Sequence, residues 1–272
     1  MTAQQGPLIY RQKRTTRLTH WLWAICLFFL MFSGLQIFNA HPQLHFGKEA
    51  GFDYDNAAVE LLAFQTADGQ LQGVTDIFGH RIDTTGVLGV SDGRVRGIPA
   101  ALTMPSGQSL ATGRVIHFFF AWIFVATLLA WFVSSAINGH IKALIPSMAD
   151  LRGLPQDVIN HARLRFHHTK DYNVLQKLAY ASVLFLALPL MILTGLTMSP
   201  AFNAVAPWLL DLFGGRQSAR SIHFLVMLAL ILFFVIHMLM ILAAGPLNEI
   251  RSIITGWYRV DPAKGGQDDH AA

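Results

Sequence analysis

Residues 220–244 read RSIHFLVMLALILFFVIHMLMILAA. From Ser221 to Ala244 the stretch is apolar apart from its histidines, and about 20 helical residues at roughly 1.5 Å each cross about 30 Å of hydrocarbon. It therefore predicts a membrane-spanning helix. His223 and His237 lie 14 positions apart. On a helix that is about 21 Å of rise, with the two side chains within about 40° of one face. A single helix thus offers two imidazoles on one side, at two depths.

Three further stretches have the same character, from about Leu18 to Phe38, Val115 to Ile137 and Val174 to Met198. The composition agrees: 53% hydrophobic against 13% charged residues, with a mean hydropathy of +0.43. Soluble domains carry about 25% charged residues, so a chain this poor in charge cannot cover itself in water. Disordered chains, nucleic-acid-binding arms and most soluble enzymes are excluded, and the net charge of +4 is read as orienting basic residues rather than as affinity for nucleic acid. The fold class is an all-α integral membrane protein, a four-helix transmembrane bundle with a long insertion between helices 1 and 2.

Lys and Arg mark cytoplasmic flanks. They gather before the first span (Arg11, Lys13, Arg14, Arg17), between the second and third (Lys142, Arg152, Arg163, Arg165, Lys170) and after the fourth (Arg251, Arg259, Lys264). The first connection is acidic on balance, with Glu49, Asp53, Asp55, Glu60, Asp68, Asp76, Asp83 and Asp92. Both termini are therefore expected in the cytoplasm and segment 39–114 in the periplasm, for a multi-pass protein of a bacterial inner membrane. The first apolar stretch is too long for a signal-peptide core and is read as a retained span. Within 39–114, Asn56 to Thr66 (NAAVELLAFQT) predicts a short amphipathic helix, and the Gly and Asp residues of 68–97 predict turns. A connection of this length is either a docking surface or a lid. The whole chain, 1–272, is read as one membrane domain, with an interfacial helix at 245–260 and a disordered tail at 261–272.

The spans contain no Asp, Glu or Arg; their ionisable side chains are histidines and Lys177. Taken singly, a membrane histidine can serve as an interhelical hydrogen-bond partner. Here the depths pair off. With the N-terminus inside, His20 and His237 fall near the cytoplasmic face, and His117 and His223 near the outer face. Zinc or non-haem iron needs further Cys, Asp or Glu ligands, which are not available at these depths. Haem supplies its own equatorial nitrogens and needs only axial ligands. The economical solution is two b-type haems, ligated by His20 and His237 and by His117 and His223. One cysteine, Cys26, leaves no disulfide framework and no CxxCH attachment; it is read as a packing residue.

Arg-x-x-His-aromatic occurs at Arg17–Trp21 (RLTHW), Arg114–Phe118 (RVIHF) and Arg220–Phe224 (RSIHF). Each arginine stands one turn nearer water on the histidine's side of the helix, where it can pair with a haem propionate or simply snorkel. Gly34 and Gly195 fall at the outer level, where a glycine makes room for a macrocycle edge or for close helix packing.

These motifs, with Ser33–Gly34, Thr194–Gly195 and YNVLQKLAY at 172–180, resemble the bacterial di-haem cytochrome b family, the membrane subunits of nickel–iron hydrogenases, formate dehydrogenases and thiosulfate reductases. Segment 39–114 is longer than that family's pattern. The resemblance implies a quinone site near the inner haem, with Asn173, Lys177 and Tyr180 as contacts and His167, His168 and Asp171 for proton exchange; the alternative for these residues is a solvated basic loop. It also implies a periplasmic redox partner, with a molybdopterin-dependent oxidoreductase as the first candidate. The expected function is an electron-transfer subunit between the quinone pool and that partner, rather than a complete enzyme. Two rivals are a stand-alone di-haem oxidoreductase coupling superoxide to quinone, and a haem-free transporter or scaffold.

Overall fold

A computed structural model describes residues 6–51, 56–166, 169 and 171–262. In chain order, strand β1 (Leu8–Tyr10) leads into helix α1 (Arg14–Phe38). Six strands follow: β2 (Gln43–His45), β3 (Ala57–Gln65), β4 (Leu71–Ile77), β5 (His80–Asp83), β6 (Val90–Ser91) and β7 (Arg94–Val95). Helix α2 (Leu110–Ile137) precedes the short helices α3 (His140–Leu144), α4 (Met148–Arg152) and α5 (Leu154–Ala162). Next come α6 (Val174–Ala181), α7 (Leu188–Thr197), α8 (Pro200–Val205) and α9 (Trp208–Leu212). Helices α10 (Arg216–Ala244) and α11 (Pro246–Thr255) and strand β8 (Trp257–Arg259) are the last elements among the described residues.

Among the described residues, four helical stretches are long and apolar enough to cross a membrane: α1, α2, Val174–Thr197 and α10. Of the most apolar part of α10 only 6% is buried by the rest of the chain, and Leu232, Phe234, Val235, Ile236 and Leu239 stand exposed. A continuous apolar surface of this kind requires an apolar solvent. The third stretch joins α6 to α7 through a π turn at Ser182–Ala187. Pro189 lacks the N–H that a regular helix would bond to the Phe185 carbonyl and its ring crowds that carbonyl, so the widened turn falls just ahead of it.

The chain divides into two compact units. One comprises 22–127 and 187–230. Its sheet has the antiparallel order β2-β3-β4-β5, with β6 and β7 forming a separate hairpin. Leu44 and Leu61 from the sheet, and Ile98, bury against Leu35 and Phe38 of α1, with Phe224 and Met227 of α10 beside them. Polar ties fasten the same layer: the Ser221 hydroxyl donates to the His45 carbonyl at 2.6 Å, and the Gly47 amide donates to the Ser218 hydroxyl at 2.6 Å.

The helix expected at Asn56–Thr66 is instead strand β3. Its Val59, Leu62 and Ala63 have helical spacing, but the segment enters a hairpin. Thr66 and Gln70 pair across a turn in which Gly69 takes a φ of +78°, the left-handed geometry that a tight hairpin needs. Seven register pairs with β4, from Val59 opposite Ile77 to Gln65 opposite Leu71, then satisfy the backbone. Local propensity gives way to tertiary pairing.

The other unit comprises 1–21, 128–186 and 231–272. Strands β1 and β8 pair antiparallel, setting residues 8–10 beside 257–259. The helix expected over 245–260 ends at Thr255, because Gly256 breaks it and residues 257–259 pair with β1. The Arg11 guanidinium lies between the rings of Tyr172 and Tyr258, 4.5 and 4.4 Å from their centres. Residues 263–272, where a tail is expected, lie outside the described residues, as do Asp53, Asp55, His167, His168 and Lys170.

Candidate functional site

Within the first unit, α2 and α10 bring His117 and His223 to a ring-centre distance of 6.4 Å, their planes at 59°. Within the second, α1 and α10 bring His20 and His237 to 6.5 Å, with planes at 51°. A metal accepting one imidazole nitrogen from each side, at the usual distance of about 2 Å, separates the ring centres by roughly 6 Å. Both pairs have that spacing, and rings sharing one metal axis can stand at any relative angle, 51° and 59° included. No cluster of three or more His, Cys, Asp or Glu side chains able to hold a metal occurs among the described residues. Two imidazoles without further donors suit a metal that brings its own equatorial ligands. The donor set therefore fits haem.

The glycines stand at the His117–His223 pair. A Cβ on Gly34 would lie 3.4 Å from Cε1 of His117, and one on Gly195 would lie 3.3 Å from Cε1 of His223. The space above each glycine is taken by the imidazole itself. Beside them are two residues whose side chains the sequence reading did not use. The Ser33 hydroxyl is 3.1 Å from Nδ1 of His117, and the Thr194 hydroxyl is 3.0 Å from Nδ1 of His223. The signal was present in the sequence as a repeated hydroxyl–glycine dipeptide, Ser33–Gly34 and Thr194–Gly195, one for each histidine.

The arginines are committed to protein groups. Arg17 donates to the Ile254 carbonyl, close to the C-terminal end of α11. Arg220 donates to the His41 carbonyl and lies 5.7 Å from the centre of the Phe38 ring. Arg114 lies 5.7 Å from the centre of the Phe118 ring. Beside Arg220, His41 stacks on His45 at 5.8 Å. Burial, followed by the charges of Arg220 and His45, pushes the His41 pKa down. Cys26 is fully buried and unpaired.

The residues expected around quinone gather at the start of α6. Asn173 caps that helix, its side chain accepting from the Gln176 amide at 2.8 Å while the Gln176 side chain accepts from the Asn173 amide. Lys177 is paired with Asp150 at 2.9 Å. Tyr180 meets Tyr172 edge-on at 5.3 Å, and Tyr172 accepts from Gln12. Asp171 is exposed, and its carbonyl accepts from the Thr169 hydroxyl.

The family model described as prokaryotic cytochrome b561 matches residues 11–256. The match takes in all four apolar helices and both histidine pairs. The chain is also 26% identical over 227 residues to the putative protein-methionine-sulfoxide reductase subunit YedZ1 of Azospira oryzae, covering 83% of this chain and 86% of that protein. This chain belongs to the prokaryotic cytochrome b561 family and is a multi-pass membrane cytochrome b.

Proposed function

We propose that the chain holds two b-type haems, one between His117 and His223 and one between His20 and His237, and passes electrons between the quinone pool and a redox partner outside the membrane. The observation that carries this reading is the pair of matched ring spacings, 6.4 and 6.5 Å, on helices free of carboxylates. Haem supplies reversible one-electron chemistry at each place. The protein's part is to hold the imidazoles, to surround them with apolar side chains that exclude water, and to fix the two places on one helix.

In this reading the basic flanks put the His20–His237 end, with Tyr180 and the Lys177–Asp150 pair, at the cytoplasmic face, where quinone exchanges electrons and protons. The β2–β5 sheet lies on the periplasmic side over the His117–His223 end, where it forms the docking face. That the YedZ1 relative is named as a reductase subunit supports a subunit role here, with a reductase as the partner class. Arg17, Arg114 and Arg220 are the cations nearest the helix ends, and to meet propionates each would give up the carbonyl or ring contact it makes now.

The test is a reduced-minus-oxidised visible spectrum of the detergent-purified protein, with haem quantified as its pyridine complex. About two low-spin haems per chain are expected from a bis-histidine pair at each site. His117→Ala and His223→Ala should each remove the same haem, and His20→Ala and His237→Ala the other. A colourless protein from haem-sufficient cells would overturn the reading.

A further inference from the structure

Ser33 and Thr194 are both fully enclosed, at 0% exposure. A hydroxyl has one hydrogen to give. That of Ser33 goes to the Phe29 carbonyl at 2.6 Å, and that of Thr194 to the Leu190 carbonyl at 2.7 Å. A carbonyl accepts only, so these back-bonds consume both hydrogens. Each oxygen then meets a histidine Nδ1, at 3.1 and 3.0 Å, and can do so only as acceptor. Both histidines therefore carry their hydrogen on Nδ1, where the Leu30 and Met191 carbonyls also accept from His117 and His223, and Nε2 is left bare. The adjoining glycines let Cε1, the atom between the two ring nitrogens, settle against the helix. Hydroxyl and glycine act together as a cradle that holds the Nδ1–Cε1 edge of each ring against the neighbouring helix, which leaves Nε2 as the nitrogen able to take a metal.

Among the described residues the other pair has no such cradle. Nδ1 of His20 is buried without a hydrogen-bond partner, and the neighbouring Thr19 hydroxyl is spent on the carbonyls of Thr15 and Thr16.

We propose that Ser33 and Thr194 are positioning residues for an iron between His117 and His223. By accepting the Nδ1 hydrogens they fix the tautomer and ring orientation of both ligands. They also make the imidazoles stronger donors, which favours the ferric state and lowers the potential of that centre relative to one lacking the bonds. The proposal rests on the bis-histidine reading above.

The experiment uses the full-length purified protein with Ser33→Ala, Thr194→Val and the hydroxyl-retaining Thr194→Ser, each also in a His20→Ala background that isolates the centre. Haem retention is followed together with a redox titration and the low-field EPR feature of ferric low-spin haem, which depends on the angle between the imidazole planes. Ser33→Ala and Thr194→Val should raise one of the two midpoint potentials, move one EPR feature and weaken haem retention at that centre about tenfold, the low end for loss of such a partner. Thr194→Ser should restore all three. Unmoved signals with full haem would overturn the positioning role and leave the bis-histidine reading standing. Should Thr194→Val lose the centre altogether, Thr194→Ser decides, because failure to regain it would also overturn the role. A wild-type protein without low-spin signals would overturn the reading beneath it.

Discussion

The two histidine pairs have nearly equal spacings and opposite kinds of support. His117 and His223 are each fixed by a hydrogen bond to a buried hydroxyl and by a glycine under the ring. His20 and His237 are held by rings: Trp21 meets His20 edge-on at 5.5 Å, and Phe233 stacks on His237 at 5.7 Å and 18°. A hydrogen bond selects which nitrogen is bare, whereas an aromatic neighbour fixes the plane and leaves the tautomer free. Similar motifs, RLTHW, RVIHF and RSIHF, thus open onto different second layers, and the two centres should respond differently to the same perturbation.

The strongest way to break the comparison is to fill one cradle. In Gly195→Val the new Cβ meets Cε1 of His223 at 3.3 Å, already tighter than ordinary contact, and two methyl groups are added beyond it. Overpacking of this kind costs about 1–3 kcal/mol when neighbours can yield, and here the neighbour that must yield is the ligand. Haem content should halve, with the remaining spectrum that of the His20–His237 centre. The measurement is haem per chain alongside the low-temperature reduced spectrum. An unchanged spectrum with full haem would show that the ring does not need its place against the helix.

A milder perturbation acts through the sheet. Leu61 is 9% exposed and packs with Leu44, Phe38, Leu35 and Ile98, beside Phe224 and Met227. Truncating a buried leucine costs about 2–5 kcal/mol, and the low end fits a residue at the rim of a small cluster. Leu61→Ala should therefore lower the temperature at which the His117–His223 haem is lost while leaving the other centre's unchanged. Thermal release followed at the two reduced bands separates these cases, and equal loss at both would mean that the sheet supports the whole chain rather than one end.

Much of this arrangement was open to reading because the bilayer is a simple solvent. Hydrophobic length places α1, α2 and α10, and the absence of carboxylates makes His20, His117, His223 and His237 conspicuous. Two kinds of feature were harder to see. Strand β3 looks helical in isolation, and its true partner, β4, becomes apparent only once the Asp68–Gly69 turn is taken as a hairpin. Ser33 and Thr194 stand on α1 and α7 while the histidines they serve stand on α2 and α10, so no local pattern links them. Asn173 and Lys177, expected as quinone contacts, have structural partners that the sequence does not announce: one caps its helix and the other is paired with Asp150.

That last pair carries the smallest expected effect and a definite sign. The Ser147 backbone amide, followed by Lys177 and the Ser147 hydroxyl, holds the Asp150 carboxyl at about 2, below its ordinary value of about 3.9. A carboxylate depressed in the folded chain stabilises it above the ordinary value, and this contribution fades as the pH falls from about 4 to about 2. Asp150→Asn removes the charge that engages Lys177 at the start of α6 and leaves a single acceptor oxygen where the carboxylate had two. Near pH 7 the variant should melt slightly below the wild type, by no more than an exposed ion pair and a helix cap allow. The gap should narrow below about pH 4 and close near 2. Thermal midpoints by circular dichroism across that range test the sign. A gap that widened on acidification would mean that Asp150 is protonated in the folded chain and that Lys177 is free to meet another anion.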